Sequence, residues 1–123
     1  MALSVVIVDD SEAFLASARG LLERQGLDVV GVATSPAEAL DRVPELRPDV
    51  VVVDLHLGAA SGLELAGLLS AADASPAVVL VSTIDRDDLA ALVVGSPVRG
   101  VLTKTDLSAT ALESIVGGAG LPA

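Results

Sequence analysis

The 123-residue sequence contains no cysteine, tryptophan or tyrosine, and one phenylalanine, Phe14. Without cysteine there are neither disulfides nor thiolate metal sites. Without a set of rings there is no platform on which single-stranded nucleic acid stacks its bases. Positive charge is also scarce, with 7 Lys+Arg against 17 Asp+Glu and a formal charge of −10. Phosphate-backbone binding depends on basic residues gathered on one face, so this chain by itself is not expected to hold DNA or RNA. Long apolar runs are missing too: 5–8, 50–53 and 77–81 are four or five residues long, whereas a membrane helix needs about 20. No basic segment precedes the first run, and Asp9 and Asp10 arrive too early for a secretory signal. The expectation is one cytoplasmic domain without membrane contact.

What the chain has in abundance is small and branched apolar residues, 52% apolar in all. Five runs rich in Val, Ile and Leu recur at 3–8, 28–33, 49–54, 77–82 and 98–102. Their length suits strands, and the unbroken apolar stretches at 5–8 and 50–53 suit strands buried on both faces of a parallel sheet. Helical spacing fills the intervals. Phe14, Leu15, Ala18, Leu21 and Leu22 form one apolar face, with Glu12, Arg19, Glu23 and Arg24 opposite, and Gly26 stands where the helix ends. Ser35-Pro36-Ala37-Glu38 and Ser61-Gly62-Leu63-Glu64 each read as a capping box, in which Ser and Glu satisfy one another's orphan N–H groups. Two more helices are expected at 86–94 and 107–116, with Pro44, Pro48, Pro76 and Pro97 falling between elements. Five β-α units in succession indicate an α/β fold, a parallel sheet with helices on both sides. Residues 117–123, rich in glycine, read as a flexible tail or the start of a linker.

Two strands end in acid, the first at Asp9 and Asp10 and the third at Asp54. Ligands of open parallel sheets bind beyond the carboxyl ends of the strands. If these two strands are neighbours, three carboxylates converge, and their repulsion calls for a proton or a divalent cation. Oxygen donors without cysteine favour a hard ion such as Mg2+. Acids at strand ends also cap helices, and that plainer role is the reading for Asp28, Asp49, Asp73, Asp87 and Asp88. The fourth strand ends at Ser82, and the fifth is followed by Lys104, the only lysine. Its ammonium is a point-charge partner for phosphate or carboxylate.

Taken together, Asp9-Asp10, Asp54 within Val53-Asp54-Leu55-His56-Leu57, Ser82, and Lys104 after Gly100-Val101-Leu102-Thr103 resemble the receiver domain of bacterial two-component response regulators. The match covers residues 1–116, and Gly100 to Leu107, with Thr105 where many receivers have Pro, looks closest to the subfamily attached to helix-turn-helix outputs of the LuxR/NarL type. The resemblance implies a (βα)5 doubly wound five-stranded parallel sheet of flavodoxin-like order 2-1-3-4-5. It implies that Asp54 accepts a phosphoryl group from a sensor histidine kinase, and that Mg2+ is held by Asp10, Asp54 and the His56 backbone carbonyl, with Asp9 acting through water. Lys104 and Ser82 would take the remaining phosphoryl oxygens, and the switch would run from Ser82 to the position of Val101. DNA would be reached only through an output domain, and a homodimer could form through the face made by the fourth helix, fifth strand and fifth helix.

Three departures from the family pattern stand out. Val101 replaces the usual Phe or Tyr three residues before the lysine, which puts the hydroxyl-aromatic coupling in doubt. Gly58 replaces a frequent Pro and should loosen its loop. His56 and Ile84 occupy positions thought to affect phosphoryl lifetime. Other readings stay open. A haloacid-dehalogenase-type, Mg-dependent phosphatase also uses a strand-end Asp, but places a second Asp where this chain has His56. Asp54-Leu55-His56-Leu57-Gly58 approaches a cobalamin signature with its glycine one residue early. A pseudo-receiver would signal through protein contact without phosphorylation.

Overall fold

The computed structural model describes residues 2–58, 60–71, 76–84 and 86–118. Its strands are β1 (Ser4–Val8), β2 (Asp28–Ala33), β3 (Val50–Asp54), β4 (His56–Leu57), β5 (Ala60–Ser61), β6 (Ala77–Ser82) and β7 (Gly100–Thr103). Its helices are α1 (Glu12–Arg24), α2 (Pro36–Leu46), α3 (Gly62–Ser70), α4 (Arg86–Leu92) and α5 (Ala109–Glu113), with a 3-10 turn at Lys104–Asp106 and a π turn at Ser114–Gly118. Five strands form one parallel sheet of order β2-β1-β3-β6-β7, which is the expected 2-1-3-4-5 arrangement.

The valine runs explain the layers. Successive strand residues point to opposite faces, so Val5, Ile7, Val50, Val52, Val79 and Val81 meet α1 and α5 through Leu15, Leu22 and Leu112. Val6, Val8, Val51, Val53, Val78 and Leu80 face the other way, onto Ala39, Val43, Leu65, Leu69 and Leu89 of α2, α3 and α4. β1 from Val5 to Val8 and β3 from Val50 to Val53 have no exposed surface. Each such side chain contributes about 1.5–3 kcal/mol relative to leaving it in water, so the inner strands are firmly seated.

Local signals end the elements. α1 starts at Ser11, whose hydroxyl accepts from the Phe14 N–H, and stops at Gly26 with φ of 96°. There the Leu27 N–H reaches the Leu22 carbonyl and the Gly26 N–H the Glu23 carbonyl, a Schellman closure sealed by two buried leucines. α5 starts at Ala109, two residues later than expected, capped by Ser108, and its first N–H, that of Ala109, is taken by Gln25 Oε1 at 2.7 Å. Its end runs through the π turn, so Gly117 and Gly118 extend the helix, whereas 119–123 lie outside the described residues, as does Asp73.

Some expectations need correction. Pro44 lies inside α2 and not between elements. The hydrogen bond it forgoes is the one to the Leu40 carbonyl, and both residues sit on the exposed side in the last turns, where the lost bond costs least because solvent can reach the carbonyl. The α2 box closes only in part: Ser35 Oγ accepts from Glu38, but the Glu38 carboxylate accepts from the N–H and hydroxyl of Thr34, both at 2.7 Å. Asp49 does more than meet solvent, since it accepts from the Ser4 N–H and hydroxyl and so ties the start of β3 to that of β1.

Candidate functional site

The site forms where β1 and β3 end side by side. Val8 pairs with Val53, so Asp9 and Asp54 leave the sheet at one level, with Asp10 beside them. A carboxylate oxygen of each of the three lies within 4.8 Å of the others. Asp9 is fully buried, Asp54 is 7% exposed, and Asp10 is open to solvent. Asp54 pairs with Val81 in the next strand, which sets Ser82 at the same sheet edge, 2% exposed, its Oγ accepting from the Ile84 N–H. Lys104 follows β7, opposite Ser82 across the Ser82–Thr103 pairing. Its Nζ reaches back to Asp9 Oδ2 at 2.8 Å and Asp54 Oδ2 at 3.7 Å. All five residues singled out in the sequence therefore meet at one edge.

Each carboxylate is held differently. Asp9 Oδ1 accepts from the Ser11 N–H at 2.8 Å, in the turn that opens α1. Its buried Oδ2 makes no directional hydrogen bond, leaving the Lys104 ammonium as its charge partner. Behind Asp54, the Leu55 N–H bonds the Val81 carbonyl and the Gly62 N–H bonds the Leu55 carbonyl. Burial pushes the Asp54 carboxyl above its usual range, and the charge of Asp9 pushes the same way. The Lys104 ammonium and the His56 N–H pull it down, and Asp10 adds a smaller upward push. Three carboxylates against one ammonium leave two negative charges uncompensated, which matches one divalent cation.

Two participants were not recognised from the sequence. Gly62, the first residue of α3, is pressed against the Asp54 backbone: a Cβ there would stand 2.0 Å from the Asp54 carbonyl oxygen. Phe14, read only as part of an apolar face, lies under the Lys104 ammonium at 4.3 Å from the ring centre. The loop after Asp54 is also tighter than expected. β4 and β5 pair as a short antiparallel hairpin, and Gly58 takes φ of 61°, a conformation closed to proline. The His56 side chain is exposed and adds no ligand to the cluster.

The family model for the response regulator receiver domain matches residues 5–116. The chain belongs to that family. As a receiver domain it is 42% identical over 100 residues to the DNA-binding transcriptional activator DevR/DosR of Mycobacterium tuberculosis, covering 76% of this chain and 45% of that protein. It is 38% identical over 86 residues to protein-glutamate methylesterase/protein-glutamine glutaminase 5 of Myxococcus xanthus, covering 69% of this chain and 25% of the relative. The receiver thus spans less than half the length of either. Among solved structures it resembles the signal receiver domain of a modulated diguanylate cyclase from Desulfovibrio desulfuricans, with 30% identity, a TM-score of 0.78 and coverage of 97% and 94% of the two chains. Response regulators are the signal-accepting half of two-component systems, and the helix-turn-helix subfamily suggested by Gly100 to Leu107 is represented among the relatives by transcription regulators.

Proposed function

We propose that this receiver is a phosphorylation-dependent switch in which Asp54 accepts a phosphoryl group from a sensor histidine kinase. The supporting observation is the convergence of a strand-end carboxylate with two others within 4.8 Å and with the Lys104 ammonium 3.7 Å away. The donor set fits Mg2+: oxygen ligands only, two charges left over, and a buried Asp9 Oδ2 without a directional hydrogen bond. Asp10, Asp54 and the His56 carbonyl would hold the ion, with Asp9 acting through water. When bound it neutralises charge on the phosphoryl oxygens and in the crowded carboxylates.

An ionised Asp54 oxygen attacks phosphorus in line. A P–O bond forms as the P–N bond to the kinase imidazole breaks, and the imidazole leaves with the electron pair and takes up a proton. Lys104 and Ser82 receive the remaining oxygens, so positioning and electrostatics supply the rate. A small donor such as acetyl phosphate follows the same course, with acetate leaving. The new oxygens then draw Ser82 inward and shift α4, which follows it. This chain is no enzyme toward another substrate and catalyses only its own phosphoryl transfer and hydrolysis.

Output runs through the α4–β7–α5 face in this reading. Leu89, Leu107 and Leu112 are buried, but Leu92 is 50% and Val94 83% exposed. A groove of about 540 Å3 runs along Gly100, Val101 and Ile115, between β7 and α5 with its π turn. A second copy would cover this face, DNA would be reached only through an output domain, and the protein would act in the cytoplasm. Among the described residues no helix is long and apolar enough to cross a membrane.

Intact-protein mass after incubation with Mg2+ and acetyl phosphate, or with beryllofluoride as a mimic, tests the reading. One phosphoryl adduct that disappears in Asp54→Ala is expected. No adduct overturns it and leaves the pseudo-receiver reading, which the complete acidic set argues against and Val101 keeps open; an adduct that survives that substitution overturns Asp54 as the acceptor. Turnover of a generic phosphate ester would favour the phosphatase instead.

A further inference from the structure

We propose that Phe14 is a positioning residue for Lys104, one that fixes the ammonium over the phospho-acceptor. This rests on reading Lys104 as a ligand of phosphoryl oxygens. The chain has one Phe, no Tyr or Trp, and one lysine, and the fold brings the Phe and the lysine together, with Nζ 4.3 Å from the ring centre. Their elements are otherwise remote: Phe14 is in the first turn of α1, and Lys104 follows β7 at the far edge of the sheet. The same Nζ lies 2.8 Å from Asp9 Oδ2 and 3.7 Å from Asp54 Oδ2. The ammonium is therefore bounded by carboxylates on one side and by a ring face on another, and the lysine side chain is 20% exposed.

Lysine is a flexible stem carrying a strongly hydrated charge. Holding it at one point costs rotamer entropy and water, and two things offset that cost here. The ring face attracts the cation through its quadrupole, and the ring occupies space that solvent would otherwise fill. Phe14 is itself held, half-buried against the α1–α5 side of the core, and its N–H is bonded by the Ser11 hydroxyl that starts α1. That turn also presents the Ser11 N–H to Asp9. One turn of helix thus orients both the buried acid and the ring that cradles its cation. An aliphatic side chain of similar volume would fill the space without attracting the charge.

The consequence is specific. The Phe14 ring carries no atom that can ligate an ion and is not one of the three clustered acids, so its loss should slow phosphoryl uptake at saturating donor without weakening Mg2+ binding. Phe14→Leu is expected to lower the maximal rate of phosphorylation by acetyl phosphate about threefold to tenfold. The Mg2+ concentration for half-maximal rate should stay unchanged, and Phe14→Tyr, which keeps the ring, should restore the rate. A purely structural role for Phe14 would instead move the Mg2+ dependence and the melting temperature along with the rate. Because there is only one lysine, its ε-methylene protons give a single set of NMR signals. In the unphosphorylated wild type they should be shifted upfield by the ring and return to ordinary positions in Phe14→Leu. Ordinary positions in the wild type, or equal rates for wild type and Phe14→Leu, would overturn the proposal, as would a Tyr variant no faster than Leu. If the wild type takes no phosphoryl group at all, the reading of the site has failed, and the NMR shift still decides whether the ring holds the lysine.

Discussion

The β1/β3 corner and the β7 edge with its neighbouring helix α4, which lie on either side of a fully buried β6, differ in how tightly they are held. At the corner the strands have no exposed surface, Asp9 is bonded by Ser11 and paired with Lys104, and α3 comes so close that only glycine fits at residue 62. At the edge Val101 is half-buried, α4 has seven residues and ends on the exposed Leu92, and the chain after it exposes Val94 before Gly95 turns with φ of 82°. The corner is fixed ahead of any chemistry, which suits catalysis by positioning. The edge has few buried contacts to lose, which suits a response. In the proposed switch, chemistry and response would therefore occupy separate parts of one sheet, with Ser82 between them.

The largest effect expected follows from the tightness of the corner. Gly62→Ala drives a Cβ into the Asp54 carbonyl and should cost about 3 kcal/mol in denaturant unfolding, through overpacking against backbone. Gly67→Ala, in the same helix with nothing within 4 Å of the new Cβ, should gain about 0.5–1 kcal/mol. Equal stabilities for the two variants would break the contrast between tight and loose regions.

Removing the cation comes next. Lys104→Met leaves Asp9 buried without its charge partner and should cost roughly 2 kcal/mol, less than for a fully buried pair because the lysine is partly exposed. Its phosphoryl uptake should also fall well below that of Phe14→Leu, since the cation itself is lost. A smaller effect of opposite sign is expected for Asp54→Asn. The Asp54 carboxyl is raised in the fold, mainly by burial, so the native state holds its proton more tightly than the unfolded chain does. Stability from this group is present at low pH and declines as pH climbs through the folded pKa, above which the ionised form opposes folding. Asp54→Asn should then be more stable than the wild type at neutral pH, and the gain should shrink in acid. A gain that grows in acid would contradict the cause assigned. Mg2+ should narrow the same gap by stabilising the wild type and not the variant.

The smallest effect concerns the edge. Val101→Phe restores a ring to β7 at a half-buried position. Uptake at Asp54 should change less than about twofold, a barrier difference under 1 kcal/mol, while the amide shifts that beryllofluoride causes in α4 and β7 should grow.

Much of this division was legible in the residues. Buried parallel strands must be unbroken apolar runs, so β1 and β3 declared themselves, and the acids that end them mark the ligand edge. The sheet order came from the family resemblance, since the residues alone left open whether the first and third strands are neighbours, and with that order Asp9, Asp10, Asp54, Ser82 and Lys104 meet. What stayed hidden depends on distances between elements. Gly62 was read as a helix-start residue, because nothing local shows that Asp54 lies behind it. Phe14 has the spacing of a core residue, and its ring meets Lys104 only after the sheet has formed. Pro44 looked like a boundary, but a proline on the exposed face of a last turn forgoes a bond whose loss costs least there, because solvent can reach the carbonyl. Glu38 satisfied Thr34, since the hydroxyl and N–H of that residue together offered more than the single N–H of Ser35.

The most direct measurement is the amide spectrum of the wild-type protein with Mg2+, before and after addition of beryllofluoride. Large shifts should gather around Asp9, Asp54, Ser82 and Lys104, with smaller ones at Val101 and along α4. No change at Asp54, or a change at Val101 as large as that at Asp54, would contradict the separation of a fixed phospho-accepting corner from a loosely built responding edge.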